Sequence, residues 1–389
     1  MKKLVFSLAF LSLIFTGCTS SDDETVTPTT PAGSGEITGD QTTSKTFIKG
    51  SYTLKGIVKI QNGVTLTFDA GSTITADVTS GVDALVVLNG GKLIMNGTAA
   101  EPIVCTEVSS TPGSWGGIIM YGDASIVGAA GVTSATSEDG LALPYGGTND
   151  AHNGGSLKYV RVEYAGKKIT DGTSEMNGFS FYSVGSGTVL ENLVSYKGAD
   201  DGYEFYGGTV SLKNSISYGN SDDSFDWQDG WKGQNSTNWY AYQVGTGNFG
   251  MEIEAKSVNN AFWPVVSNIT LKRAPGTVTE GGTSAAEYDA IQFKKQGNGE
   301  YTNIVISGYT TSGATAVRIQ DANTNTDQVN SGKIKLLNVK INDGTSQFAG
   351  AGTVSPSFAP ANYTISSTVA GASITTGAWT VVSGVSLIQ

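Results

Sequence analysis

One pattern constrains this chain more than any other. Gly178-Phe179-Ser180-Phe181 returns as Gly202-Tyr203-Glu204-Phe205 and again as Ser224-Phe225-Asp226-Trp227, at offsets of 24 and 22 residues. Each copy alternates apolar, polar and apolar residues, the signature of a strand with one buried face. The form continues in Gly250-Met251-Glu252-Ile253, Ala290-Ile291-Gln292-Phe293 and Ala316-Val317-Arg318-Ile319, with wider gaps that can hold loops. A second column keeps step: Asn192, Asn214, Asn238, Asn268, Asn303 and Asn338 each precede a short β-rich run. A unit of about two dozen residues without helical periodicity cannot bury its apolar face alone and must stack on its neighbours. The expected fold is therefore all-β, a parallel β-solenoid with coils of about 22–26 residues and loop insertions.

In such a stack successive coils lie about 4.8 Å apart, and equivalent residues form columns. Asparagine amides at a bend can then hydrogen-bond along their column. Phe179, Phe181, Tyr203, Phe205, Phe225 and Trp227 are expected inside. Ser180, Glu204, Asp226, Glu252, Gln292 and Arg318 are expected in an outward file.

The 52 glycines and the many turn signals agree with an all-β chain. The early coils are legible in Leu54–Ile60, Val64–Phe68, Ser72–Ala76, Ala84–Leu88, Lys92–Met95 and Pro102–Thr106. A net charge of −11 argues against nucleic acid as a partner, because phosphate binding requires a basic patch.

At the N-terminus, Lys2-Lys3 and the apolar run Leu4–Phe15 end in Thr16-Gly17-Cys18. This is a secretory signal, too short to span a membrane. It resembles a bacterial lipoprotein signal, which implies that residues 1–17 are removed and that Cys18 carries an outer-membrane lipid. The acidic run Thr19–Glu24 resembles the tag that sends Bacteroidota lipoproteins to the cell exterior. Residues 18–45 are rich in Thr, Pro, Gly and Ser and read as a flexible tether, leaving 46–389 as one solenoid domain. Cys105 then has no partner and reads as a small buried hydrophobe.

The succession GVTLTFDAGSTI, LNGGKLIMNGTAAEPIVCT, GSWGGIIMYGDA, YGGTND, LKYVRVEYAG, GADDGYEFYGGTV and SDDSFDWQDGW resembles a family of Bacteroidota cell-surface lipoproteins held to be right-handed parallel β-helices. The resemblance implies that handedness and a lipid-anchored place on the outer membrane. It says less about activity, and residues 355–389 match it only loosely.

His152 is the only histidine, so neither a histidine-based triad nor a multi-histidine metal site can be assembled. Chemistry falls to the carboxylates. Asp200-Asp201 and Asp222-Asp223 stand one coil apart, and Glu204 and Asp226 share that offset. Carboxylates stacked at about 5 Å repel by several kcal/mol at an effective dielectric of about 20, and something must offset this. Three readings stay open. Asp200, Asp201, Asp222 and Asp223 could ligate calcium, which takes six to eight oxygens. They could cap turns. They could also be catalytic, since Gly198-Ala199-Asp200-Asp201-Gly202 resembles the Gly-x-Asp-Asp motif of polygalacturonase-type glycosidases, although that family's Gly-His-Gly has no counterpart here.

Trp227, Trp231, Trp239 and Trp263 crowd one region together with Tyr240 and Tyr242. With Trp227 inward, Trp231, Trp239 and Tyr240 are candidates for exposed rings that stack on sugars beside Glu204, Asp226 and Glu252. The loop Arg273–Glu287 could wall such a groove. The expected function is a surface protein that binds a polysaccharide or an outer-membrane protein partner, leaning away from catalysis. A carboxylate-dependent polysaccharide hydrolase or lyase is the first alternative, and a structural or adhesive surface protein the second.

Overall fold

The computed structural model describes residues 32–389 except 80, 129–131, 170–173, 258–263, 281–286 and 344, and residues 32–389 form one compact unit. Residues 1–31, with Cys18, lie outside the described part, as does Trp263.

The chain is a right-handed parallel β-helix, with every pairing in its large sheet system parallel. One face stacks Ala84–Val87, Ile118–Tyr121, Phe179–Tyr182, Tyr203–Tyr206, Phe225–Gln228, Met251–Ile253, Ile291–Phe293, Thr315–Ile319 and Ser346–Gly350. The other two faces share long strands, among them Gly155–Glu163, Val189–Tyr196, Leu212–Tyr218, Ser236–Gln243, Val265–Arg273, Gly299–Ser307 and Ile334–Ile341.

Each long strand bends where one residue adopts the left-handed conformation. That residue is Tyr159 in the first and then Asn192, Asn214, Asn238, Asn268, Asn303 and Asn338, with φ between 54° and 60° for the asparagines. Asparagine tolerates this region better than most residues. Its amide also reaches the next coil: Asn238 donates to Asn214 (2.9 Å), Asn303 to Asn268 (2.9 Å) and Asn338 to Asn303 (3.1 Å). The expected asparagine column therefore exists, and it is the corner between two sheets.

Inside, rings stack coil upon coil. Phe179, Tyr203 and Phe225 lie 5.1 and 5.2 Å apart, and Phe181 sits 5.1 Å from Phe205. Trp227 is paired in register with Phe205, but the ring stacked on Phe205 is that of Trp231, at 4.4 Å. Cys105 is buried in Ile103–Glu107, and burial, with Glu163 adding, pushes its thiol up to about 12, which leaves it inert.

Two boundaries differ from the sequence reading. Gly33–Gln41, within the expected tether, is a strand paired in parallel with Gly50–Ile60. It is an end strand that buries only Ile37, so it carries almost no apolar signal. Residues 366–389 form a strap that runs back across the outside of the third sheet, which is built from the halves of the long strands that follow the bend. Ser373 N donates to Asn238 Oδ1 (3.2 Å), Trp379 packs edge-on to Tyr159 (5.6 Å), and the Tyr240 hydroxyl donates to the Gln389 carbonyl (3.0 Å). Among the described residues no helix is long and apolar enough to cross a membrane.

Candidate functional site

On the first face, strand alternation turns Ser180, Glu204, Asp226, Glu252, Gln292 and Arg318 away from the core, in register as one file. The file is not open to water, however. Glu204 and Asp226 are buried, because insertions between strands fold over the face. Glu138, Glu175 and Asn177 come from the insertions before the Phe179 strand, and Glu287 comes from the expected 273–287 wall. Together they enclose a cavity of about 380 Å³, whose floor and sides include Asp200, Asp201, Glu204, Asp222, Asp223, Asp226, Glu252 and Lys294.

The acid pairs sit in the turns that lead from the third sheet into this face. Gly202, after the first pair, must be small, since a Cβ there would lie 2.5 Å from Ser217 Oγ and 2.7 Å from the Ser224 carbonyl oxygen. The buried Asn220 ties the turn together. It accepts from Gly198 N (2.8 Å) and donates to Ser217 Oγ (2.7 Å).

The second aspartate of each pair links coils: Asp201 Oδ1 accepts from Asp223 N (2.8 Å), and Asp223 Oδ1 from Phe249 N (2.6 Å). The turn-capping reading is thus correct for one oxygen of each. Asp222 accepts from the Asn248 amide, and Asp200 Oδ1 from Asp201 N (3.1 Å). Three buried carboxylate oxygens, Asp200 Oδ2, Asp226 Oδ1 and Glu254 Oε1, have no hydrogen-bond partner, and only the last has an ammonium nearby, that of Lys256 at 3.7 Å. Such groups are uncommon in folded proteins and call for an explanation.

Three sets of carboxylates lie close enough to share an ion, with ligand oxygens within 4.8 Å of one another: Asp200/Asp201/Asp222, Asp201/Glu204/Asp226 and Asp223/Asp226/Glu252. Burial, reinforced by neighbouring carboxylates, holds Asp200, Asp201, Asp222, Asp223 and Asp226 well above the usual aspartate range. Burial likewise lifts Glu204 to about 8, with Glu138 adding and donors from Tyr206, Gln228 and Asn177 opposing. Burial works against the Lys294 ammonium, but Glu252, Asp226 and Glu254 outweigh it and raise its pKa. This all-oxygen donor set with unpartnered buried oxygens can chelate a divalent cation.

Several expected site residues are elsewhere. Trp231 and Trp239 are wholly buried: their indole N–H groups donate inward to the Val210 and Leu212 carbonyls (2.9 Å each), and Trp239 stacks on Phe225 at 4.5 Å. They fill the interior because large rings gain most from burial there. Tyr240 faces outward on a different sheet, under the C-terminal strap. None of the three can present a ring to a sugar in the cleft. Arg318, at the far end of the file, is held by the buried Asp289 through two hydrogen bonds (2.5 and 3.1 Å). His152 is buried away from the cleft cluster.

The sequence reading missed Asn177, Asn248 and Lys294. Asn177 and Asn248 stand in the columns of Asp201 and Asp222, and Lys294 follows the Gln292 position, so coil arithmetic could have found them. Glu138 and Glu175 lie in insertions with no repeat to align.

Among solved structures, the chain is similar to the A-module of the mannuronan C-5 epimerase AlgE4 of Azotobacter vinelandii, with 10% identity over 79% of each chain and a TM-score of 0.31. It is also similar to the surface protein and adhesin PfbA of Streptococcus pneumoniae, with 12% identity over 79% of this chain and 91% of that one and a TM-score of 0.23. No curated protein matches. The family model described as a pectate-lyase like beta helix domain matches residues 35–382. That match, with the three carboxylate clusters, corrects the lean away from catalysis, because metal-assisted catalysis fits both findings. With nearly the whole solenoid covered by this one model, the chain belongs to the pectate-lyase like β-helix domain family.

Proposed function

We propose that this protein is a carbohydrate-active enzyme that works with a divalent cation, calcium by its coordination chemistry, on an anionic polysaccharide. The observation that carries the reading is the buried cleft in which carboxylates from successive coils converge and two of their oxygens have no partner. A hard cation seeks oxygen ligands of this kind. When bound, it would supply positive charge beside a uronate carboxylate and so make the adjacent C–H bond more acidic.

The chain's own residues do the rest. Asp200, Asp201, Asp222, Asp223, Asp226 and Glu252 would hold the cation. Lys256, Lys294 and Lys295 line one side of the cleft, where their charge favours an anionic polymer even though each pairs with Glu254. Elimination is favoured over two-carboxylate hydrolysis. Hydrolysis needs an acid and a base in contrasting environments, whereas all four paired aspartates are shifted in the same direction.

The test is incubation with pectate, alginate and glycosaminoglycans in calcium and in chelator, reading unsaturated ends by ultraviolet absorbance and new reducing ends in parallel. Unsaturated ends are expected in calcium alone, with at least a hundredfold loss in Asp201→Asn/Asp223→Asn. If no polymer yields either kind of end, the enzymatic reading fails. The same proposal places the protein on the cell exterior, anchored through Cys18. Cys18→Ala should release it into the medium, and retention of that variant on cells would refute the anchor.

A further inference from the structure

We infer that the cleft is built for two divalent cations, one held by Asp200, Asp201 and Asp222 and the other by Asp223, Asp226 and Glu252; this rests on the cation-assisted reading above. The two triads share no residue, and in each the ligand oxygens lie within 4.8 Å of one another. Each also contains one of the unpartnered oxygens, Asp200 Oδ2 in the first and Asp226 Oδ1 in the second. Both residues are at least nine-tenths buried, Asp200 being 2% exposed and Asp226 9%. A buried carboxylate oxygen with neither a donor nor a cation beside it is costly unless a ligand completes it, and within the two triads that need arises twice, at separate places.

The third group, Asp201/Glu204/Asp226, overlaps both triads and is the natural seat for a single central ion. Its glutamate argues against that seat. Glu204 already accepts from Asn177 Nδ2 (2.6 Å), Gln228 Nε2 (3.0 Å) and the Tyr206 hydroxyl, so its lone pairs are largely spent. A cation there would have to compete with three side-chain donors on one carboxylate, whereas no carboxylate of the outer triads accepts more than one. Charge points the same way. Of the six carboxylates of the two triads, one has an ammonium within salt-bridge distance, Glu252 with Lys294. With all six ionised, one divalent cation leaves more than half of the excess negative charge of this set uncompensated, whereas two bring the set within one charge of neutrality.

The experiment is calorimetric titration of the chelator-treated full-length protein with calcium, alongside terbium luminescence as a second count of sites. The wild type is expected to bind two ions. Asp200→Asn and Asp226→Asn should each bind one, and the double variant none. Circular dichroism melts in chelator establish that each variant is folded. Should either fail to fold, Asp222→Asn and Glu252→Gln neutralise the same two triads and are expected to give the same split. One ion in the wild type, abolished by either single substitution, would overturn the inference in favour of the central site, and no binding would overturn it outright. Two ions without cleavage of any polysaccharide would sustain the two-cation cleft and defeat the enzymatic reading. Cleavage undiminished in chelator would defeat the cation-assisted reading on which the inference rests.

Discussion

Two columns of repeated polar residues run along this solenoid, and they solve the same problem in opposite ways. At the corner between two sheets the asparagines stack at coil spacing, and the amide of one donates to the carbonyl oxygen of the previous one. On the first face the aspartates and glutamates stack at the same spacing, but an ionised carboxylate has acceptors and no donor. That column therefore borrows backbone N–H groups for some of its oxygens and leaves others without a partner. Repetition of a group that carries both donor and acceptor builds a self-satisfied spine. Repetition of a group that carries acceptors alone builds an incomplete structure, which a cation can complete.

The largest expected effect breaks this comparison with pH. In chelator the carboxyls of the first face have folded-state pKa values above their unfolded ones, Glu204 rising from 4.5 to about 8. The native state then binds more protons than the unfolded state. That stability is fully present below the unfolded value and is lost as pH rises through the folded one. The melting temperature in chelator should fall by roughly 5 °C between pH 5 and pH 8, and calcium should abolish the fall. A flat profile in chelator would mean that the acid column is not under strain.

Next in size is a substitution that makes the first column resemble the second. Asn238→Asp removes the donor to Asn214 and sets a carboxylate against its carbonyl oxygen, at a cost of about 1–3 kcal/mol in denaturant unfolding. Asn238→Gly keeps the left-handed backbone and should cost less. Equal stability of the Asp variant and the wild type would show that the amide ladder contributes nothing.

The reverse exchange sharpens the contrast. Asp226→Asn removes a buried charge, so in chelator at pH 8 it should stabilise the protein by about 1 kcal/mol. In calcium the sign should invert. A variant that is weaker than wild type in both conditions would contradict the strained-column picture.

The smallest effect comes from a buried polar group outside both columns. Burial lowers the pKa of His152, with Lys92 adding and Asp123 opposing, and its Nε2 has no partner. A depressed histidine contributes stability that is present above its unfolded pKa of about 6.5 and is lost as pH falls. In calcium, where the acid column is held ionised, His152→Gln should flatten the loss of stability just below that pH. An unchanged slope would remove His152 as the cause.

How much of this was legible beforehand follows from what a repeat encodes. Alternation in FSFY, YEFY and FDWQ determined which side chains face the core and which form the outward file, because strand geometry admits one assignment once the interior must be apolar. The 22–24-residue offsets determined the registers, so Glu204 could be paired with Asp226, and Asn214 with Asn238, without any coordinates. They also placed the two aspartate pairs one above the other.

Whatever depends on non-repeating segments was beyond reach. Trp231 follows the strand Phe225–Gln228 through a turn whose path no periodicity describes, and the structure folds its ring into the core. Trp239, by contrast, lies in the repeating strand Ser236–Gln243 in register with the buried Ser215 and Ile269, a column that already marks it as inward. The strap that covers Tyr240 comes from residues nearly 150 positions away. Glu138, Glu175 and Glu287 reach the cleft from insertions whose lengths carry no positional information. Local pattern sets the direction of each side chain relative to its own sheet, whereas burial of the outward file depends on which distant loops come to lie over it. The sequence by itself thus determined a β-helix with a column of acids on one face. The tertiary structure alone decided that the column is covered, desolvated and left with carboxylate oxygens that have no hydrogen-bond partner.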